Sequence, residues 1–172
     1  MTLIGVISDT HDNIAMLEKA VDILKREGVD MVVHLGDIVA PFTLAKLAGL
    51  LKGVRIEAIY GNNCGEKLGL MRVASNYGIS ISDPPKILEI KGRKILLIHG
   101  WGPADLTRRL AESLVHSGFW DAVLYGHTHS PDLRYVRGRL LLNPGEVAGV
   151  LEKPSLAILE VENLKAKIIE II

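Results

Sequence analysis

The chain of 172 residues has a single cysteine, Cys64, no glutamine, and no net charge, since its twenty basic and twenty acidic residues cancel. One cysteine excludes an internal disulfide and fits a reducing compartment. Zero net charge leaves no electrostatic footprint for nucleic acid or an anionic membrane, so neither is an expected partner. A small molecule of mixed polarity is. Also missing is any run of about 18 apolar residues, the length a membrane span needs. The opening "MTLIGVISDTHD" has no basic leader before an apolar run of signal length, so a cytoplasmic protein is expected. The lack of glutamine alongside abundant charge lies in the direction seen in thermophile proteins. No linker, repeat or low-complexity segment divides the chain, and one domain over residues 1–172 is expected.

Within that length, short apolar runs alternate with helical patterns. "TLIGVIS" is continuous rather than alternating, which marks a buried parallel strand. Ile14, Leu17, Val21 and Leu24 then recur at helical spacing, with Asn13 as N-cap and Gly28 as the stop. "DMVVHLGD" is a second strand, "PFTLAKLAGLL" a helix with Pro41 in its first turn, and "VRIEAIYGN" a third strand. After a helix near Lys67 to Tyr77 the pattern changes. "KILEI" and "KILLIHG" flank "KGR", "DLRYV" and "LLLNPG" flank "RGR", and "SLAILEV" and "LKAKIIEI" flank "EN", three hairpin signatures. A helix from about Pro103 to His116 and a strand "DAVLYGH" lie between the first two. The expected fold is α/β: a parallel half extended by antiparallel strands, as two packed mixed sheets flanked by helices.

Polar residues collect just beyond the strand ends, in "SDTHD", "HLGD", "YGNN", "IHGW" and "YGHTHS". In open α/β sheets that edge is where ligands bind, so segments distant in sequence can converge there. The side chains offered are Asp9, His11, Asp37, Asn62, His99, His127 and His129. Carboxylates, imidazoles and an amide without a thiolate suit hard or borderline divalent metals such as Mn, Fe, Co, Ni or Zn. Four histidines are too many for an all-oxygen Mg site. Glycine precedes Asp37, Asn62 and His127 and follows His99, allowing sharp turns and close approach. Taken singly, an aspartate after a strand is more often a helix cap, and a lone histidine a structural residue. The number and order of the segments carry the reading, "GHTH" most of all, because two imidazoles one residue apart can address two metals or two sides of one.

In this order, Asp-x-His, Gly-Asp, Gly-Asn, His-Gly and Gly-His-x-His resemble the motif series of the calcineurin-like metallophosphoesterases, over nearly the whole chain. The short length is similar to their small bacterial and archaeal phosphodiesterase branch. The resemblance implies a four-layer α/β/β/α sandwich and a dinuclear centre of two divalent ions, manganese foremost, with Ni, Co, Fe or Zn as alternatives. It further implies phosphoester hydrolysis, in which a metal-bound hydroxide attacks a small phosphoester in line. Carried onto these residues, Asp9, His11 and His129 would hold one ion, Asn62, His99 and His127 the other, and Asp37 would bridge, with Asp37, Asn62 and His99 nearest the chemistry. Relatives are often dimers or tetramers. Two departures stand out. Asn63 and Cys64 occupy the places where many members have an acid-supplying histidine and an acidic residue, a change common in the small branch, so the leaving group loses that proton source. Glu146 follows "NPG" where a small hydroxyl residue is expected. The rival readings are a protein-binding scaffold, the use a retromer subunit makes of the same fold, and a monoester phosphatase or nuclease of the same superfamily.

Other residues are read as structural. His34 lies inside a strand, His116 ends a helix, and Cys64 has no basic neighbour in sequence to activate it. Trp101 is expected in the core, though it could stack on a substrate ring. Asp12 and Asn13 begin the first helix, with Asp12 near enough to support a ligand.

Overall fold

The computed structural model describes residues 1–172. Its first half alternates strand and helix: β1 (Leu3–Ile7), α1 (Ile14–Glu27), β2 (Met31–His34), α2 (Pro41–Leu50), β3 (Arg55–Ile59), α3 (Lys67–Tyr77) and a short β4 (Ser80–Ser82). Local chemistry sets the helix ends. Asn13 accepts from the Met16 N–H at the start of α1, and Gly28 closes it in the left-handed conformation that a Cβ disfavours. Pro41 sits in the first turn of α2, where its missing N–H would have no helical partner.

The second half comprises β5 (Lys86–Ile90), β6 (Arg93–Ile98), α4 (Ala104–His116), β7 (Ala122–Tyr125), β8 (Asp132–Val136), β9 (Arg139–Asn143), β10 (Ser155–Glu160) and β11 (Lys165–Glu170). Lys91-Gly92 joins β5 to β6 and Arg137-Gly138 joins β8 to β9. All four turn residues have positive φ, as a two-residue type I′ hairpin requires.

The strands form two mixed sheets, ordered β11-β10-β1-β2-β3-β4 and β5-β6-β7-β9-β8. In the first, β1 to β4 are parallel and β10 joins β1 antiparallel. In the second, β6, β7 and β9 are parallel, with β5 and β8 antiparallel at the edges. The sequence reading omits β4, whose three residues carry two serines, and places parallel pairing only in the first half. The second sheet has its own parallel centre because α4 is a crossover between β6 and β7.

Alternate residues of the inner strands face opposite layers. Ile4, Val6 and Val33 meet Ile95, Leu97 and Leu142 between the sheets. Ile7, Val32 and Ala58 pack under α1, α2 and α3, while Leu96, Val123 and Leu141 pack under α4. The order is helix, sheet, sheet, helix, and strands covered on both faces need unbroken apolar runs. Removing one such side chain, as in Leu97→Ala, costs about 2–5 kcal/mol. No helix is long and apolar enough to cross a membrane.

Candidate metal centre

Asp9 and His11 follow β1, Asp37 follows β2, Asn62 follows β3, His99 follows β6, and His127 and His129 follow β7. Five of these seven have left-handed backbones: Asp9 (φ 52°), His11 (40°), Asp37 (54°), His127 (69°) and His129 (59°). Each such residue costs about 1–3 kcal/mol and persists only where its surroundings fix it. Here they do. Asp9 N donates to Gly36 O and His11 N to Asp37 O, while the carbonyls of Ser8 and Asp9 accept from Val147 and Ala148. The Asp12 carboxylate accepts from Ala40 N and the Thr43 hydroxyl, tying the β1 loop to α2. A Cβ at Gly61 would overlap the Asp37 carboxylate, and one at Gly36 would lie 2.5 Å from His99 Nδ1. The space these glycines leave is filled by neighbouring site side chains.

All seven side chains converge. His11 Nε2 lies 3.8 Å from Asp9 Oδ1 and 3.6 Å from Asp37 Oδ2, and His129 Nε2 lies 3.6 Å from Asp9 Oδ1. His99 Nε2 is 3.4 Å from Asp37 Oδ1. Asn62 Oδ1 sits 3.0 Å from His99 Nε2 and 2.8 Å from His127 Nδ1. Asp37 thus stands between the His11 and His99 imidazoles. Asp9 is shared as well: its oxygens group with His11 and His129 on one side, and with Asp37 and His99 on the other, within 4.8 Å in each set.

The hydrogen bonds behind this cluster show what it fits. His99 Nδ1–H donates to Leu35 O (2.7 Å), His127 Nε2–H to Gly102 O (2.7 Å), and His129 Nδ1–H to Glu146 Oε2 (2.9 Å). Carbonyl and carboxylate oxygens only accept, so each neutral imidazole turns a lone pair into the site. Those lone pairs face the Asn62 carbonyl and the carboxylates, acceptor against acceptor, an arrangement that a cation between them resolves. Asp9 Oδ1 and His11 Nε2 are buried there with no hydrogen-bond partner. A backbone or carboxylate acceptor stands behind three of the four imidazoles, as it does where metal-binding histidines are oriented, and the residues present fit divalent ions.

In the ion-free cluster, protons on His11 and His99 offset the carboxylates. Burial by itself would raise the Asp9 carboxyl, but His11, the His99 charge and the Ser8 hydroxyl at 2.5 Å hold it below the usual carboxylate range. Asp37 is likewise low against burial, held by His99 and by Asn63. The Asp9 carboxylate raises His11; His99 is raised by Asp37 and Asp9 against its burial. His34 behaves oppositely. Burial brings it down to about 4, and it sits neutral with Nδ1 accepting from Gly36 N and Nε2 bonded to the Thr10 hydroxyl, which in turn donates to Asp37 O.

Sequence reasoning noted Glu146 only as a departure. It is fully buried, and besides accepting from His129 its Oε1 accepts from Leu151 N and Glu152 N at 2.6 Å each. Burial opposes its ionisation, but those backbone N–H groups and His129 keep it low. The available signal was an acidic residue standing alone in "LLLNPGEVAGV". Ser8 beside Asp9 carried no signal. Cys64 is buried, and its Sγ accepts from Gly61 N. His116 lies away from the cluster, bonded to Glu112 O. Trp101, expected in the core, is about half exposed at 49%, because Gly100 and Gly102, both at positive φ, turn the chain outward on either side of it.

Residues 2–164 match the family model described as Calcineurin-like phosphoesterase superfamily domain. The chain is 36% identical over 161 residues to a phosphodiesterase of Methanocaldococcus jannaschii, covering 92% of this chain and 93% of that protein. It is 34% identical over 173 residues to a probable metallophosphoesterase of Methanothermobacter thermautotrophicus, covering 97% and 91%. A solved structure described as a novel archaeal phosphodiesterase superposes with a TM-score of 0.87 at 34% identity, covering 98% of this chain and 99% of that one. With the fold, the strand-end cluster and these matches in agreement, the chain belongs to the calcineurin-like phosphoesterases, hydrolases that use divalent metals.

Proposed function

We propose that this protein is a metal-dependent phosphodiesterase of the cytoplasm, acting on a small phosphodiester with two divalent ions, manganese first among them. Asp9, His11 and His129 would hold one ion, Asn62, His99 and His127 the other, and Asp37 both. Such ions, when bound, lower the pKa of water and neutralise phosphate oxygens during in-line displacement. The observation that carries the reading is the set of histidine lone pairs and the orphaned Asp9 Oδ1 and His11 Nε2, all aimed at one place.

What the protein's own residues do follows from their bonds. Leu35 O, Gly102 O and Glu146 fix three imidazoles in the tautomer that presents a lone pair, and Ser8 with the His127 N–H fixes one Asp9 oxygen so that the other points inward. Neither Asn62 nor Asn63 can give up a proton, so departure of a poor leaving group has no assistance from that position. Substrates with acidic leaving groups are therefore favoured. The likeness to proteins described as phosphodiesterases supports a diester over a monoester.

The test is turnover of bis(p-nitrophenyl) phosphate against p-nitrophenyl phosphate, after chelation and after adding back Mn2+. Chelator-sensitive, Mn2+-restored hydrolysis with preference for the diester is expected. Folded, metal-loaded protein that turns over neither compound would leave only the scaffold reading.

A further inference from the structure

Two cavities differ in chemistry. The larger, about 780 Å³ between α1 and the end of the chain, is lined by Lys19, Asp22, Lys25 and Glu27 among others and contains no residue of the metal centre. The other, about 240 Å³, has Asn62 and His99 in its wall together with Tyr60, Lys67, Asp83 and Trp101. At that size it takes one substituent of a substrate, since pockets for drug-sized ligands run to roughly 300–1,000 Å³.

Trp101 is the unusual member. It packs into none of the three apolar clusters, whereas the other tryptophan, Trp120, packs under α4. Yet its backbone is fixed. Trp101 N donates to the Thr107 hydroxyl, which donates to Trp101 O, and the carbonyl of the next residue, Gly102, accepts from His127. An indole held out of the core by a tethered backbone beside the metal centre is a ready stacking surface. Along the same cavity Lys67 Nζ and Asp83 Oδ1 pair at 2.6 Å, with the ammonium 5.0 Å from the Tyr60 ring centroid. A donor and an acceptor side by side suit a ring whose rim carries both amine and carbonyl groups.

We propose that this cavity receives a nucleobase stacked on Trp101, so that the diester handled by the metal centre is a nucleotide diester. This rests on the phosphodiesterase reading above. The balanced charge of the chain and the single cation of the cavity lining, paired with Asp83, favour a nucleotide or short diester over a polymer.

The experiment compares calorimetric binding of guanosine 5′-monophosphate, whose base carries both an amine and a carbonyl, and ribose 5-phosphate, which lacks the base, to the Mn2+-loaded protein. The nucleotide is expected to bind about 5- to 160-fold more tightly, the range of alanine substitutions at base-stacking aromatics, and to quench tryptophan fluorescence. Trp101→Ala should make the two ligands about equal, and Trp101→Phe should keep part of the preference. Equal binding by the unaltered protein, or an unchanged preference in Trp101→Ala, overturns the proposal. Hydrolysis of bis(p-nitrophenyl) phosphate in the same preparations separates the two readings. Turnover without base preference overturns the base site alone, and base preference without turnover overturns the phosphodiesterase reading while the base site stands.

Discussion

Asn63 donates to both oxygens of Asp37, its backbone N–H to Oδ1 at 2.8 Å and its side-chain amide to Oδ2 at 2.7 Å. The residue that follows Asn62 thus positions the carboxylate between the two imidazole groups. Asn63→Ala keeps the backbone bond and loses the other. Loss of a bond behind a ligand typically weakens metal binding about 10- to 100-fold, and because Asn63 is exposed the lower end, about 10-fold, is expected. Calorimetric titration with Mn2+ measures it; unchanged affinity would show the amide bond to be idle.

Direct removal of ligands should give a different pattern. Asp37→Ala takes away the carboxylate facing both His11 and His99, so metal analysis should find both ions lost or weakened. Asn62→Ala should reduce the stoichiometry towards one ion, since its carbonyl faces only His99 and His127. Two tightly bound ions in the Asp37 variant would refute the bridging role.

Glu146 joins stability to the metal centre. Glu146→Ala strands the His129 N–H and the N–H groups of Leu151 and Glu152, each at about 1–3 kcal/mol when buried. Glu146→Gln keeps the shape and loses the charge. Urea unfolding should rank the unaltered protein above Gln and Gln above Ala, and Mn2+ affinity should follow the same order. A large loss of stability with metal affinity untouched would confine Glu146 to holding its loop.

Acid should act through two opposed histidine shifts in the metal-free protein. His34, depressed to about 4 by burial, stays neutral in the fold while the unfolded chain protonates near 6.5. Its contribution is complete above about pH 6.5 and declines as pH falls towards 4, by about 3 kcal/mol across that window. His11 and His99 are raised, so their contribution is present below about pH 6.5 and lost as pH climbs through their folded values. Urea melts between pH 4.5 and 6.5 should therefore show a shallower acid decline in His34→Asn than in the unaltered protein. Mn2+ affinity should already weaken on the alkaline side of pH 6.5, as protons compete for His11 and His99. Identical acid limbs in the two proteins would contradict a buried neutral His34.

The legible parts of the sequence are those with local causes. Asn13, Gly28 and Pro41 announce helix ends through their own backbone chemistry, and Lys91-Gly92 and Arg137-Gly138 announce hairpins. The seven candidate ligands were visible because each adjoins the end of an apolar run. Illegible were contacts between distant segments. Nothing near Asn63 says that its amide turns back to Asp37, and nothing near Glu146 points to His129. β4 escaped because Ser80 and Ser82 leave it a single apolar residue, and Trp101 misled because tryptophan is usually counted as core.

The pairing of β1 with β10 sets a timetable. Leu3 lies opposite Glu160, and the Asp9 loop takes its outer hydrogen bonds from Val147 and Ala148. On a ribosome adding about 5–20 residues per second, β1 would wait on the order of ten seconds with one edge bare before its partner is made. The first ligands synthesised, Asp9 and His11, are thus among the last to be locked in place. In the proposed metal centre, capture of ions would follow the pairing of β10 with β1, and a nascent chain stalled before residue 155 should emerge without them.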